Sequence, residues 1–381
     1  MKNAMHVAQP RRLIPLAVIS GYLGSGKTTL LNHVLKHASF ANSVVVINEF
    51  GEIGLDHLLI ATPAENTVLL EGGCMCCELR GDLVDTLARL HEDASSGKIK
   101  QFDRVVVETT GLADPVPIVQ TVVADSRLSS VFCLDRIITI VDGQHGWTHL
   151  DKHPESSKQI AIADCLVLSK SDLMTPDAIA RFTSRLKEIN PGAGQFFSIH
   201  GQVDTDGLFG LKAGNQAARL AAALEWINSA AYDNGHTHDT KKGGHEHSHH
   251  INSFSFYLEG EIRWDGLMLW LSLLAALKSA SILRLKAILN IQGRPVVIQV
   301  VQAIVHEPFT LDHWPDAERR SRIVVIGQDL QRADVERTFS AFQFEAAPKQ
   351  AAVCIDPTAY TRFLEAAGLG GAASDSEQHL N

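Results

Sequence analysis

Nine residues constrain this chain most: Gly21-Tyr22-Leu23-Gly24-Ser25-Gly26-Lys27-Thr28-Thr29. They fit the pattern G-x-x-x-x-G-K-[ST]. They follow a short apolar run, Leu13 to Ser20, and open a helical pattern, Thr28 to Ala38. That context matters, because a strand, a glycine turn and a helix together build a phosphate cradle. Gly24 and Gly26 let the backbone curl until its N–H groups face the phosphates. The helix behind adds its positive N-terminal end. Lys27 would hold the β- and γ-phosphates and the Thr28 hydroxyl would hold Mg²⁺. Gly21, Ser25 and Thr29 complete the nucleotide-binding stretch.

Such a unit needs a parallel sheet around it, and the chain supplies the strands. β-Branched runs at Ser43 to Ile47, Thr67 to Leu70, Asp103 to Val107, Ile137 to Val141 and Leu166 to Leu168 alternate with helical patterns at Arg80 to His91 and Pro176 to Ile189. Alternation of this kind predicts a P-loop NTPase α/β fold, a parallel sheet with helices on both faces. Ligands then sit at the carboxyl ends of the strands. We assign this domain to residues 1–232. Residues 233–250, DNGHTHDTKKGGHEHSHH, are polar and read as a flexible linker. Strand patterns at Ser253 to Leu258, Ile282 to Ile291, Val296 to Ile304 and Ile323 to Ile326, with helices at Leu267 to Lys278 and Ala333 to Ala341, predict a smaller α+β C-terminal domain over 251–368. Residues 369–381 read as a disordered tail.

Two further motifs belong to the cradle. Glu108 closes the buried run of FDRVVVETTG, where an acid can hold Mg²⁺ through water. With Lys27 it forms the expected catalytic pair. Gly111 can offer its N–H to a γ-phosphate, which makes its loop a switch candidate. Ser169-Lys170-Ser171-Asp172 follows a later strand and resembles the [NST]-K-x-D element. Asp172 would accept from guanine N1 and its amino group, a donor pair that adenine lacks. Lys170 would lie along the base. Asp142 closes a strand and is a cleft residue without an assigned role.

Gly72-Gly73-Cys74-Met75-Cys76-Cys77 crowds three of the six cysteines into four positions. Three thiols suit Zn²⁺, Co²⁺ or Cu(I). Tetrahedral zinc wants a fourth ligand, for which Glu49 and Glu52 of INEFGE are candidates. His236, His238, His245, His247, His249 and His250 form an auxiliary set that could gather metal. His145, His149 and His153 would share one helix face at a spacing of four residues until Pro154 ends the pattern; a second metal site there is the alternative, and a solvated face is the reading we take. The net charge of -9 argues against a nucleic-acid surface. No apolar run is long enough to span a bilayer, and the expected compartment is the cytoplasm.

The order GYLGSGKTTLLN, NEFGE, GGCMCC, ETTGLADP, SKSD resembles the CobW-type family of metallochaperone GTPases. LRLKAILNIQGRP and the run from Trp314 to Gly327 are similar to that family's C-terminal domain. The resemblance implies slow hydrolysis of GTP to GDP, coupled to delivery of zinc or cobalt to a metal-requiring client protein. Cys74, Cys76 and Cys77 match its C-x-C-C metal motif, and Glu108 its acidic strand-end residue. Two positions depart from the pattern. Ile47 stands where some relatives carry a glutamate ligand, and Ser169 stands where Asn is usual. An alternative reading is a GTP-regulated metal sensor that delivers nothing. A small-molecule kinase is disfavoured by the guanine element and the cysteines. A homo-oligomer stays open.

Overall fold

The computed structural model describes residues 13–50, 67–72, 78–209, 251–278, 281–302, 304–306 and 308–344. The N-terminal part is built from β1 (Ile14–Ser20), α1 (Lys27–Val34), β2 (Ser43–Phe50), β3 (Thr67–Gly72), α2 (Glu78–Ser95), β4 (Arg104–Glu108), α3 (Val116–Ala124) and α4 (Ser126–Ser129). It continues through β5 (Phe132–Asp142), α5 (Gly146–Lys152), α6 (Pro154–Ile162), β6 (Cys165–Ser169), α7 (Pro176–Ile189), β7 (Gly194–Ser198) and α8 (Thr205–Leu208). The sheet runs β3-β2-β4-β1-β5-β6-β7, with every pair parallel.

A parallel sheet covered on both faces needs apolar residues at every strand position. β4 and β6 are buried throughout, as RVVVE and CLVLS. Alternate residues serve opposite faces. Leu16, Val18 and Val46 pack with Leu87 of α2 and Val119 of α3. Ala17, Ile19 and Val45 pack with Leu30, Leu31 and Val34 of α1. Each such side chain contributes about 1.5–3 kcal/mol of burial. The expected α/β architecture is therefore present. Because the strands are parallel, Ser20, Phe50, Gly72, Glu108, Asp142, Ser169 and Ser198 all end at one edge.

The C-terminal part holds β8 (Ile251–Leu258), α9 (Trp264–Lys278), β9 (Ile282–Ile291), β10 (Arg294–Val301), β11 (Ile304–Val305), β12 (Phe309–Thr310), β13 (Ser321–Gln328) and α10 (Arg332–Thr338). Its sheet is antiparallel, ordered β11-β10-β9-β13-β8, with β12 on β10. Gln292 and Gly293 turn β9 into β10 with φ of 52° and 82°, the two positive angles that match hairpin twist. The strand expected over Val296 to Ile304 is broken. Gln302 takes φ 51°, and β11 folds back on Val300 and Val301. α9 covers one face through Leu267, Trp270, Leu271 and Leu274. The opposite face supplies Leu283, Val301 and Ile326 to the N-terminal core, so the two parts share apolar packing.

Among the described residues no helix is long and apolar enough to cross a membrane.

Candidate functional site

The phosphate loop is held by close backbone approach. A Cβ on Gly21, whose φ is +144°, would stand 2.3 Å from the Ile140 carbonyl oxygen. Gly24 and Gly26 also take positive φ, 71° and 96°. Gly26 is the N-cap of α1, so the loop delivers its last N–H groups straight into the helix start. The Lys27 ammonium folds over the loop and donates to the Gly21 carbonyl at 3.0 Å. It is 8% exposed, so its charge already lies inside the cradle.

β4 brings the acid to the cradle. Glu108 lies beside Ile19 and Ile47 in register. The Thr28 hydroxyl donates to its Oε1 at 3.2 Å, across 80 residues of sequence. Around this pair, the buried hydroxyls of Ser20, Ser25, Thr109 and Thr110 have no hydrogen-bond partner among the described residues. Buried hydroxyls are usually satisfied. A set of oxygen atoms of this kind beside a carboxylate fits a hard cation with its water and phosphate ligands. Ile47 is 1% exposed and packs with Ile19 and Leu31, so it offers the site no ligand atom.

The guanine element closes the other side. The Ser169 hydroxyl donates to the Ser25 carbonyl at 2.6 Å and so braces the phosphate loop. Lys170, at φ 54°, donates to the Gly24 carbonyl at 3.0 Å and to Asp142 Oδ2 at 2.7 Å. Burial pushes the Asp142 carboxyl up. The Lys170 ammonium and the N–H groups of His145 and Gln144 outweigh it and hold the carboxyl below the usual range. Asp142 thus fixes Lys170 and anchors the start of α5. Asp172 stands partly exposed at the mouth, 3.9 Å from the ring of His200.

The Gly111 loop crosses the phosphate loop. A Cβ on Gly111 would meet the Leu23 nitrogen at 2.6 Å and its Cα at 2.7 Å. α6 pins this loop from behind. Gln159 donates to the carbonyls of Gly111 and Ala113 at 3.2 and 3.0 Å, and Lys158 pairs with Asp114 at 2.6 Å.

Residues 15–197 match the family described as CobW/HypB/UreG, nucleotide-binding domain, and residues 251–343 match the cobalamin synthesis protein cobW C-terminal domain. The chain belongs to the CobW family. It is 28% identical to the zinc chaperone YjiA of Escherichia coli (strain K12) over 332 residues, 87% of this chain and 99% of that protein. It is 26% identical to the zinc-regulated GTPase metalloprotein activator 1 of Saccharomyces cerevisiae over 366 residues, 86% and 82% of the two chains. The solved structure of Zn(II)-bound YjiA GTPase from E. coli superposes with a TM-score of 0.61 at 24% identity. It covers 87% of this chain and 99% of that one, a likeness that speaks for the fold.

The structure therefore gathers Gly21, Gly24, Ser25, Gly26, Lys27, Thr28, Thr29, Glu108, Gly111, Lys170 and Asp172 of the CobW-family motifs at one sheet edge. Glu52, Cys74, Cys76, Cys77 and the six histidines between His236 and His250 lie outside the described residues. Glu49 belongs to β2, where its backbone pairs with Glu71 of β3. Among the described residues no three His, Cys, Asp or Glu side chains converge on a metal position.

Sequence reasoning missed two parts of the site. One is the turn after β7, where Ile199 and Gln202 bond to each other's backbone and His200 takes φ 51° beside Asp172. Its signal was a polar S-I-H-G-Q closing an apolar strand. The other is Gln159, which nothing in its sequence neighbourhood marks.

Proposed function

We propose that this protein is a GTP-dependent metallochaperone. It binds zinc at Cys74, Cys76 and Cys77 and passes it to a metal-requiring client as GTP is hydrolysed. The observation that carries the reading is the convergence of three motifs on the phosphate loop: Lys27 on Gly21, Thr28 on Glu108, and Ser169 and Lys170 on Ser25 and Gly24. The names of the relatives, zinc chaperone and zinc-regulated GTPase metalloprotein activator, support the metal half.

In this reading Gly21 to Thr29 bind the phosphates, and Asp172 and Lys170 bind guanine. Thr28 and Glu108 would hold Mg²⁺, which supplies charge neutralisation at the β- and γ-phosphates when bound. Gly111 and Leu23 touch, so a contact made by the γ-phosphate to the Gly111 N–H is felt by the phosphate loop at once. β3 ends at Gly72, two residues before Cys74 and at the same sheet edge as Glu108. That adjacency gives a physical route from nucleotide state to the cysteines. Zinc is the proposed cargo, and cobalt suits the same thiols. The fourth ligand is Glu49, Glu52, water or a client group.

The test is metal affinity, by competition against a chelating dye, with Mg²⁺GTP and with Mg²⁺GDP. About tenfold tighter zinc binding with GTP, about 1.4 kcal/mol of coupling, is expected. Zinc-loaded protein should then give its metal to an apo-client on hydrolysis. Equal affinity in the two nucleotide states would overturn delivery. Metal retained after hydrolysis would point to a sensor instead.

A further inference from the structure

A cavity of about 470 Å³ opens beside the end of the phosphate loop, lined by Thr29, Asn32, His33, Lys36, His200 and Gln202. That volume is in the range of small-molecule sites. Asn32 and His33 stand three and four residues after Thr29, so all three share one face of α1. Lys36 lies in the turn that ends the helix. The other wall is the turn after β7. His200 and Gly201 take successive left-handed angles, φ 51° and 81°, and press this turn onto α1. A Cβ on Gly201 would stand 2.6 Å from the Thr29 carbonyl oxygen.

Covalent connectivity decides what lies at the mouth of this cavity. The phosphates of a bound nucleotide belong at Gly21 to Thr29 and its base at Asp172. The turn after β7 reaches both ends, with Gly201 against Thr29 and the His200 ring 3.9 Å from Asp172. Ribose joins phosphate to base, so it lies along this turn with its hydroxyl edge toward the cavity. The lining exceeds what a sugar needs. Every lining side chain is polar and none is acidic, while His33, Lys36 and His200 can carry positive charge. Ribose hydroxyls are neutral and both donate and accept. Cationic donors without a carboxylate among them suit an anion instead. Neither the His33 ring nor the Lys36 ammonium has a hydrogen bond or ion pair with a described residue.

We propose that this cavity takes a phosphate or diphosphate group carried on the ribose of a guanine nucleotide. A guanosine phosphorylated both at its 5′ end and on a ribose hydroxyl then binds in preference to GDP. The proposal rests on Gly21 to Thr29 and Asp172 being the guanine-nucleotide site. His33 and Lys36 supply charge at the sugar, as Lys27 does at the 5′ phosphates. Two anchors on one ligand reinforce each other, because the second group is held at high effective concentration once the first is bound. With a 5′-diphosphate, such a ligand has no γ-phosphate to offer the Gly111 N–H. It fills the site without the contact that sets GTP apart, and so acts as a competitive brake on the GTPase.

The experiment measures binding to the full chain by calorimetry with Mg²⁺, using GDP and guanosine 5′-diphosphate 3′-diphosphate. The second nucleotide should bind about tenfold tighter or more, an advantage that shrinks as salt is raised. His33→Gln combined with Lys36→Gln should reduce the advantage to about twofold or less. GDP affinity should hold in that variant, and a cooperative melt establishes that it is folded. Inorganic pyrophosphate added with GDP should leave GDP affinity unchanged. Equal affinity for the two nucleotides would overturn the proposal, as would an advantage that survives both substitutions. Pyrophosphate that tightens GDP would mean that the cavity takes free phosphate, which sinks the sugar-borne ligand. Failure to bind GDP at all would defeat the guanine-site reading and the proposal together, whereas GDP binding without the advantage defeats the proposal alone.

Discussion

Gly111 and Asp142 show how single residues hold the candidate site. At Gly111 the constraint is space, since a methyl group would overlap backbone atoms of Leu23. Backbone cannot swing aside as a long side chain can, so the phosphate loop itself would have to move. Gly111→Ala should therefore cost only about 1–3 kcal/mol of stability. It should weaken GTP and GDP binding by about tenfold or more, measured by calorimetry. Undiminished binding would show that the two loops part freely. At Asp142 the constraint is charge. Its carboxyl is held below the usual range, so its contribution is present above the ordinary carboxylate range and lost as pH falls below it. Asp142→Asn should weaken guanine-nucleotide binding at neutral pH by about threefold to tenfold, through a loosened Lys170. It should leave the guanine-over-adenine preference intact, since Asp172 is untouched. Loss of that preference would mean that Asp142 reads the base itself.

At the scale of elements, α6 decides how firmly the Gly111 loop is held. Gln159 is 2% exposed, and its amide feeds two loop carbonyls. Gln159→Leu removes both donors, and each buried carbonyl left unmet costs about 1–3 kcal/mol. Amide exchange over residues 110–115 should quicken markedly while the sheet stays protected; unchanged exchange would mean that the loop is held from elsewhere. The same helix shows what sequence can disclose. The glycines and Lys27 are legible because one local backbone shape demands them within nine positions. The strands β4 and β6, and β2 from Ser43 to Ile47, are legible because full burial leaves an apolar run. Gln159 is not, because its partners lie 46 and 48 residues away and its own pattern is that of any helix. α3 escaped notice because VPIVQTVVA is β-branched and begins around two prolines, so its composition argues for a strand. β7 escaped because GQFFS is a short edge strand opened by glycine.

The whole molecule is joined by a buried ionic cluster that no local pattern announces. Asp164, at the entry to β6, pairs with Arg284 at 2.5 Å and with Lys286 at 2.8 Å, both from β9 of the C-terminal sheet. It also accepts the Ile137 N–H of β5. One carboxylate thus ties the C-terminal sheet to the two strands that end in Asp142 and Ser169. Burial alone would push the Asp164 carboxyl up, but the two cations overcome it and hold it far below its usual range. Asp164→Asn would leave two cations buried without their anion, at a cost of about 3–5 kcal/mol. His306 lies in the same junction. Burial, and then the Arg284 charge, push its pKa down to about 4. A base with a depressed folded pKa favours the unfolded chain as protons become available. Its penalty therefore grows as pH falls from the ordinary histidine range toward about 4. The unfolding free energy read from urea titrations should drop between about pH 7 and about pH 5, by about 1–2 kcal/mol, and His306→Gln should flatten that drop. The Asp164 contribution is lost only in far stronger acid, so the two groups separate on the pH axis. A drop that survives His306→Gln would place the acid sensitivity outside the junction. A drop abolished by it would mean that docking of the C-terminal sheet is the first thing acid loosens, and nucleotide affinity measured across the same range would then report how far the guanine-reading strand depends on that docking.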